Sequence, residues 1–272
     1  MTSNPLISIV TISFNQAEFL ERTIKSVLEQ DYPNVEYIVV DPGSTDGSRA
    51  IIDRYIDRIA STVFEPDNGA ADGLNKGFAK ATGDIYGFLN SDDILLPGAL
   101  SEAVAYLVQH PKTDVVSGHS TIIDADDKLI RKGYSGRFSL RRYAYRGAGL
   151  MQPSTFFRKE IFEKVGGFCV QNKCSWDGEL FVDMALRGAK FSRANCLWSG
   201  FRLHSQSITS SKRLDEEFRM NARRMFVKII GREPNKKDGL IEFAYRLRRH
   251  LFGPRALYQR VVYGPIYGGG RQ

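Results

Sequence analysis

The stretch ISIVTISFNQAEFLERTIKSVLEQDYPNVEYIVVDPGSTDGS, residues 7–48, decides the fold. LISIVTI (6–12) is an apolar, β-branched run and reads as a strand buried on both faces. QAEFLERTIKSVLEQ (16–30) follows with Leu20, Ile24, Val27 and Leu28 at helical spacing. Asn15, with Glu18 three residues on, predicts a capping box at its start. VEYIVVD (35–41) reads as a second strand, and PGSTDGS is turn chemistry.

The alternation continues outward. RAIIDRYIDRIA (49–60) reads as a helix, STVFE (61–65) as a third strand, GAADGLNKGFAKAT (69–82) as a helix and DIYGFLN (84–90) as a fourth strand, with Pro97 opening another helix. Repeated βα units imply an α/β fold: a Rossmann-like, mostly parallel sheet flanked by helices, with right-handed crossovers. Ligands of such sheets bind at the carboxyl ends of the strands. Those ends are Ser13-Phe14-Asn15, Asp41, Glu65-Pro66-Asp67 and Asn90-Ser91-Asp92-Asp93, so polar and acidic residues recur along one edge. After residue 110 the pattern loosens. DVVSGHSTIID (114–124), a turn at Asp126-Asp127 and LIRKGY predict a hairpin. MQPSTFFRKEIFEKVGGF (151–168) predicts a strand and a short helix, and CSWDGELFVDMALRG (174–188) a helix stopped by Gly188.

The composition fits this. Of 272 residues, 42% are hydrophobic and 25% charged, so a sizeable core can form. No apolar run is long enough to span a bilayer. MTSNPLISIVTISFN has no basic segment ahead of its apolar run, so it does not read as a secretory signal. Cys169, Cys174 and Cys196 do not make a disulfide framework and fit reduced thiols in a cytosolic protein. Phosphate-loop, dinucleotide, nucleophile-elbow and zincin motifs are all missing.

Two acidic clusters carry candidate chemistry. Asn90-Ser91-Asp92-Asp93 follows an apolar strand. Adjacent carboxylates need a counter-charge, which a hard divalent cation and a diphosphate would supply, or else the aspartates cap a loop or helix. Asp177-Gly178-Glu179 opens a helix, where carboxylates either complement the dipole or offer a general base. His204, in FRLHSQS, reads by itself as a satisfied structural histidine more readily than as a metal ligand.

In order along the chain, residues 6–48, EPDNGAADGLNKGFAKATGDIYGFLNSDDILLPGAL (65–100), QPSTFFRKEIFEKVGGF (152–168) and WDGELFVDMALRG (176–188) together resemble the family 2 glycosyltransferases of the GT-A fold. The resemblance implies inverting transfer of a hexosyl group from a nucleotide-diphosphate sugar, UDP favoured, to an acceptor hydroxyl, with Mn2+ or Mg2+ as cofactor. It implies that Thr11, Ser13 and Asp41 line the base pocket, that Asp72 and Lys76 lie near ribose and diphosphate, and that Asn90, Ser91 and Asp92 take the place of the metal and diphosphate motif. Asn90 departs from the usual first Asp, which leaves Asp92 as the main protein ligand, with His204 able to approach the metal. Asp177 matches the general base and Glu179 the nearby second acidic position, while Gly178 stands where the family has an aromatic residue. The chain divides on this reading into a catalytic domain, 1–210 (nucleotide-binding half 1–110, acceptor half 111–210), and a basic helical extension, 211–272. The acceptor is a glycan or a lipid-linked glycan in cell-surface polysaccharide or glycolipid assembly. Asn90 and Gly178 keep open a nucleotide-sugar or glycan-binding module that has lost catalysis. A nucleotidyltransferase would want a glycine-rich loop that SFNQAEFL does not offer.

The charge is uneven. Residues 212–272 hold 15 Lys and Arg against 6 Asp and Glu, a net +9, while the rest of the chain is near neutral. GLIEFAYRLRRHLF (239–252) puts Leu240, Phe243, Ala244, Leu247 and Leu251 on one helical face beside Arg246, Arg248, Arg249 and His250. Such a helix suits an anionic membrane surface, which would make the protein cytoplasmic and peripheral on the inner face of the membrane. The alternative is that the face packs on the catalytic domain or on a second subunit in a homodimer. No nucleic-acid-binding motif accompanies the charge, so nucleic acid is not an expected partner.

Overall fold

The computed structural model describes residues 4–147, 149–205, 215–251 and 254–264, without the side chains at 249–251. The expected boundary at 210/211, the terminal glycine run and the side chains of Arg249, His250 and Leu251 lie outside the described residues.

Strands β1 (Ile7–Ile12), β2 (Val35–Val40), β3 (Ser61–Val63) and β4 (Ile85–Asn90) alternate with helices α1 (Ala17–Leu28), α2 (Ser48–Asp53) and α3 (Ala70–Phe78). They pair in parallel, and they end in register: Ile12 opposite both Val40 and Asn90, and Val40 opposite Val63. The strands are apolar without alternation because both faces are covered. Ile7, Ile9, Tyr37 and Val39 pack with Leu20, Ile24 and Ile52 on one side. Val10, Ile38 and Val40 pack with Leu74 and Phe78 on the other. Helix α3 lies so close to the sheet that a Cβ at Gly77 would come within 2.5 Å of a Val10 methyl.

The second half adds β5 (Ile94–Leu95), α4 (Ala99–Gln109), β6 (Val115–Ile123), β7 (Leu129–Gly133), α5 (Leu140–Ala144), β8 (Thr155–Arg158), α6 (Lys159–Val165), α7 (Trp176–Leu186) and β9 (Phe191–Arg202). All nine strands of the described residues join one sheet of order β3-β2-β1-β4-β8-β6-β9-β5, with β7 paired to β6. β6 and β9 run with the first four strands, while β5, β7 and β8 run against them. Helices α8 (Asp215–Ile230), α9 (Lys236–Leu251) and α10 (Pro254–Tyr263) form the basic extension.

The mostly parallel α/β sheet, the hairpin and the α6 and α7 helices stand as expected. The capping box does not. Asn15 adopts φ 53 and its Oδ1 accepts from Thr45 N, so the start of α1 is capped from the next loop, Ala17 N donating to Asp46 Oδ2 at 2.8 Å. The helix expected over 49–60 breaks after Asp53 into a separate turn at Ile56–Arg58. Helix α3 ends at Phe78, and α4 starts at Ala99, two residues beyond Pro97, after Gly98 at φ 80. β5 and the long β9 carried no sequence signal.

Candidate functional site

Three adjacent parallel strands end in buried polar atoms that have no partner among the described residues: Ser13 Oγ after β1, Asp41 Oδ2 after β2 and Asn90 Oδ1 closing β4. Asp41 is fully buried. Its Oδ1 accepts from Gly43 N at 2.9 Å, Ser44 N at 2.8 Å and Arg49 Nε at 2.8 Å, and Arg49 also donates to the Asp41 carbonyl. Burial works to raise this carboxyl, but the hydrogen bonds from Ser44, Arg49 and Gly43 outweigh it and hold the group below the usual carboxylate range. Asp41 is therefore an ionised carboxylate with one oxygen saturated and one free. The Arg49 guanidinium lies 3.8 Å from the centroid of the Phe64 ring, a cation–π contact.

The loops around these atoms are laced together. Asn15 N donates to Ser44 Oγ and Gln16 N to Ser48 Oγ, joining the ends of β1 and β2. Beyond β3, Asp72 Oδ2 accepts from Asn68 N at 2.9 Å and pairs with Lys76 at 3.4 Å, and Lys76 also reaches the Pro66 carbonyl. Asp72 and Lys76 thus sit together beside the 65–69 loop. Thr11 departs from expectation: it is fully buried, and its hydroxyl accepts from Tyr37 on the α1 side of the sheet, so it supports the strand from the core instead of lining a pocket.

The acidic turn after β4 is tied down by Arg202, which was not among the expected site residues. Arg202 N donates to Asp93 Oδ1 at 2.9 Å, its Nε donates to the Asp92 carbonyl at 2.6 Å, and its other nitrogens reach the Asp124 carbonyl and the Asp127 carboxylate. Burial, then the adjacent Asp92 charge, pushes the Asp93 carboxyl well up. Asp92 is left facing His204, whose Nε2 lies 3.0 Å from Asp92 Oδ2 while its ring rests on Phe19 at 4.6 Å. Ser91 is buried, with its N bonded to the Ile12 carbonyl and its own carbonyl accepting from Thr23. A carboxylate and an imidazole nitrogen in contact, with an unpartnered amide oxygen in the same turn, is a donor set that suits Mn2+ or Mg2+. Among the described residues, no three of His, Cys, Asp and Glu converge on one point, so phosphate and water oxygens would have to complete the shell of any such ion.

Helix α7 carries the second acidic cluster at its start. Its first residue, Trp176, packs on Phe88 of β4 at 5.5 Å and on Phe168 at 5.7 Å, which sets the start of α7 beside the strand that ends in Asn90. The two carboxylates there are driven in opposite directions. Asp177 is raised above the ordinary aspartate range by burial, against hydrogen bonds from backbone N–H groups. Glu179 is buried too, but Arg224 (2.7 and 2.5 Å), Asn172 (2.8 Å) and Lys228 (3.4 Å) surround both of its oxygens and lower it. Glu179 therefore clamps α8 of the extension to α7. Gly178 is occupied from outside: a Cβ there would lie 2.2 Å from the Tyr143 hydroxyl of α5. Tyr143 thus covers the helix at the position where no side chain of its own stands. Arg202, Arg224 and Tyr143 act on residues distant in sequence, and no local pattern marks them, whereas Arg49 lies only eight residues from Asp41.

A curled sheet with helices on its faces and this cluster at its strand ends defines the GT-A glycosyltransferases. S. aureus TarS in complex with UDP has a similar fold, with a TM-score of 0.66 at 18% identity, covering 91% of this chain and 72% of that one. So has a mannosyltransferase from Pyrobaculum calidifontis in complex with GDP-Man and Mn2+, with a TM-score of 0.65 at 20% identity, covering 96% and 74%. The sequence goes further than the fold: the profile described as Glycosyl transferase family 2 matches residues 8–166. An uncharacterised glycosyltransferase of Mycobacterium tuberculosis is 34% identical over 188 residues, 68% of this chain and 71% of the relative. A Bacillus subtilis protein named for teichuronic acid biosynthesis, TuaG, is 37% identical over 119 residues, 43% of this chain and 47% of that one. The chain belongs to glycosyl transferase family 2.

Proposed function

We propose that this glycosyltransferase is inverting and metal-dependent, and that it moves a sugar from a UDP-sugar to a hydroxyl of a glycan or lipid-linked acceptor in the assembly of a cell-surface polymer. The observation that carries the reading is the trio Ser13 Oγ, Asp41 Oδ2 and Asn90 Oδ1. Leaving a buried polar atom unpaired costs about 1–3 kcal/mol, so three on adjacent strand ends mark a place that a polar ligand completes. TarS with UDP and with UDP-GlcNAc, and the mannosyltransferase with GDP-Man, support a nucleoside diphosphate sugar as donor. The teichuronic acid relative supports a cell-surface product.

On this reading residues 1–110 hold the donor and 111–210 the acceptor. Asp41 accepts from the nucleotide base through its free oxygen, next to Ser13. Asp72 and Lys76 stand near ribose and diphosphate, and Ser91 at the diphosphate. Asp92, with Asn90 and His204, holds Mn2+ or Mg2+, and a bound cation supplies charge stabilisation for the departing diphosphate. Asp177 takes the proton of the acceptor hydroxyl as its oxygen bonds to the anomeric carbon, and the diphosphate leaves from the opposite face with the bonding pair, which inverts the centre. Glu179 positions Asp177 by anchoring α7. The protein works at the cytoplasmic side of the membrane, and no helix among the described residues is long and apolar enough to cross it.

The test is a thermal-unfolding series with UDP and GDP, each with and without manganese. UDP with manganese should raise the midpoint, because a ligand of the native state stabilises it by mass action. Asp92→Ala should lose the manganese-dependent part of that rise. No stabilisation by either nucleotide sinks the donor reading, and an unchanged manganese effect in Asp92→Ala sinks the metal site.

A further inference from the structure

The extension carries a surface that the catalytic reading leaves unused. Of the large apolar side chains left exposed along the described chain, eight lie in α8–α10: Met220, Leu240, Phe243, Leu247, Tyr258, Val261, Val262 and Tyr263. In α9 the exposed positions are one stripe. Leu240, Phe243 and Leu247 are 73%, 66% and 46% exposed and fall three and four residues apart, on one side of the helix. The other side is already docked. Asp238 is buried and accepts from Tyr145 at 2.9 Å, Tyr245 stacks on Tyr145 at 5.7 Å, and Arg232 pairs with Asp238 at 2.7 Å. The packing of this apolar face on the catalytic domain, one of the three uses open to it from sequence, is therefore ruled out: α9 rests on the domain through Asp238 and Tyr245 and turns the Leu240 stripe away. Helix α10 repeats the arrangement. Gln259 binds it to β7 by accepting from Lys132 N at 2.8 Å, while Tyr258, Val261 and Val262 stay half to three-quarters exposed.

Charge selects what covers this face. The acidic groups of the 233–242 region are all committed: Glu233 to Arg223, Asp238 to Arg232 and Glu242 to Arg246. Lys236, Lys237, Arg255 and Arg260 have no carboxylate partner among the described residues, and Lys236 lies four residues before Leu240, on the same meridian. A second copy would bring another net +9 segment against the first, and the two would repel. An anionic bilayer supplies the opposite charge, accepts aliphatic and aromatic side chains at its headgroup boundary, and leaves cations at the rim among the phosphates.

We propose that α9 and α10 form a docking surface for an anionic phospholipid membrane, with Leu240, Phe243 and Leu247 inserting at the headgroup boundary and Lys236, Lys237, Arg255 and Arg260 engaging lipid phosphates. The protein would be held at the plane from which a lipid-linked acceptor presents its hydroxyl. The proposal stands apart from the donor reading, because membrane binding needs none of the strand-end residues.

The experiment is flotation of the full chain with phosphatidylcholine vesicles and with vesicles carrying about 30% phosphatidylglycerol, at about 0.15 M and about 0.5 M salt. The chain should float with the anionic vesicles and not the neutral ones, and high salt should weaken binding. Phe243→Ser should reduce it by about tenfold, the loss of one buried aromatic anchor. Leu240→Ser, Phe243→Ser and Leu247→Ser together should abolish it, and Lys236→Glu with Lys237→Glu should weaken anionic binding. All these side chains are exposed, so an unchanged thermal midpoint reports an intact fold. Failure of the full chain to float overturns the proposal, as does a triple variant that floats as well as the parent. A dimer in sedimentation equilibrium that the triple variant dissociates, with no vesicle binding, overturns it in favour of a second copy. Since flotation reads no sugar transfer, its failure leaves the donor reading untouched.

Discussion

The strand ends of β1, β2 and β4 and the face that α7 turns to α8 both bury charge, and they treat it in opposite ways. At the strand ends Asp41 has one oxygen fixed by three donors and the other with none, and Ser13 and Asn90 add further unpartnered atoms. Between α7 and α8, Glu179 has both oxygens taken up by Arg224, Lys228 and Asn172. The physical lesson is that unsatisfied and saturated polar groups answer different needs. A saturated buried carboxylate is architecture: it holds two elements together and has no capacity left for a ligand. An unsatisfied one, kept in place by a rigid surround, costs stability in the free protein that binding returns. Asp177, on the same helix as Glu179, is treated differently again: burial raises it and no side-chain cation compensates.

The largest expected effect tests that difference. Asp177→Asn should leave UDP affinity within about twofold and lower turnover by about 10²–10⁴, the range for loss of a general base. The base acts ionised, so activity is lost as pH falls through the Asp177 pKa. Burial raises that pKa, and the acid limb of the rate profile should therefore lie above the range of an exposed aspartate. Steady-state kinetics across pH on the parent and variant check both points. Near-normal turnover in Asp177→Asn would move Asp177 into the architectural class beside Glu179.

A middle-sized effect tests the saturated side. Removing the two partners of the Arg224–Glu179 pair is not equivalent. Arg224→Ala strands a buried carboxylate on Lys228 and Asn172 alone, a loss of about 2–3 kcal/mol. Glu179→Gln removes the buried charge and frees a half-exposed guanidinium that water can solvate, a loss of about 1 kcal/mol. Chemical denaturation of the two variants should rank Arg224→Ala as the weaker protein, and both should keep donor affinity. If Glu179→Gln lost turnover at full stability, Glu179 would have a part in the chemistry.

How far the sequence could be read follows the same divide. The four parallel strands and their acidic ends were legible because each is a local pattern: an apolar run, a turn, a helical stripe. Asn15 misled, since its capping signature with Glu18 is local, whereas the observed cap comes from Asp46 in the next loop. β9 was illegible. FSRANCLWSGFR has no period of two, its burial is irregular, and its pairing with β6 shifts register near His119. Arg202, at the end of β9, inherited that obscurity, although it fixes the turn that carries Asp92. The use of the amphipathic face was left open because a helical stripe shows that a side is apolar and not what lies against it. Only the docking of Asp238 and Tyr245 shows which way α9 turns.

The smallest expected effect probes the seam between the two regions, where Tyr143 covers Gly178 one residue from Asp177. Two terms oppose each other in Gly178→Ala. Alanine favours the helix by about 0.5–1 kcal/mol, whereas its methyl would sit 2.2 Å from the Tyr143 hydroxyl and must displace it, a strain of about 1–3 kcal/mol. The second should win, and the single variant should lose stability. Tyr143→Phe removes the obstructing oxygen and leaves ring carbons at 3.2 and 3.5 Å, close but tolerable for a neighbour that can give slightly. In that background Gly178→Ala should be neutral or stabilising, a coupling of about 1 kcal/mol in a double-mutant cycle read by denaturation. The kinetic arm sharpens the point. If Tyr143 sets the geometry of Asp177, Gly178→Ala should lower kcat without changing UDP affinity, and Tyr143→Phe should restore it in the double variant. Additive stabilities and an unchanged kcat would mean that the Tyr143 ring fills space beside α7 and leaves Asp177 to be positioned by Trp176 on Phe88 and by the Glu179 anchor.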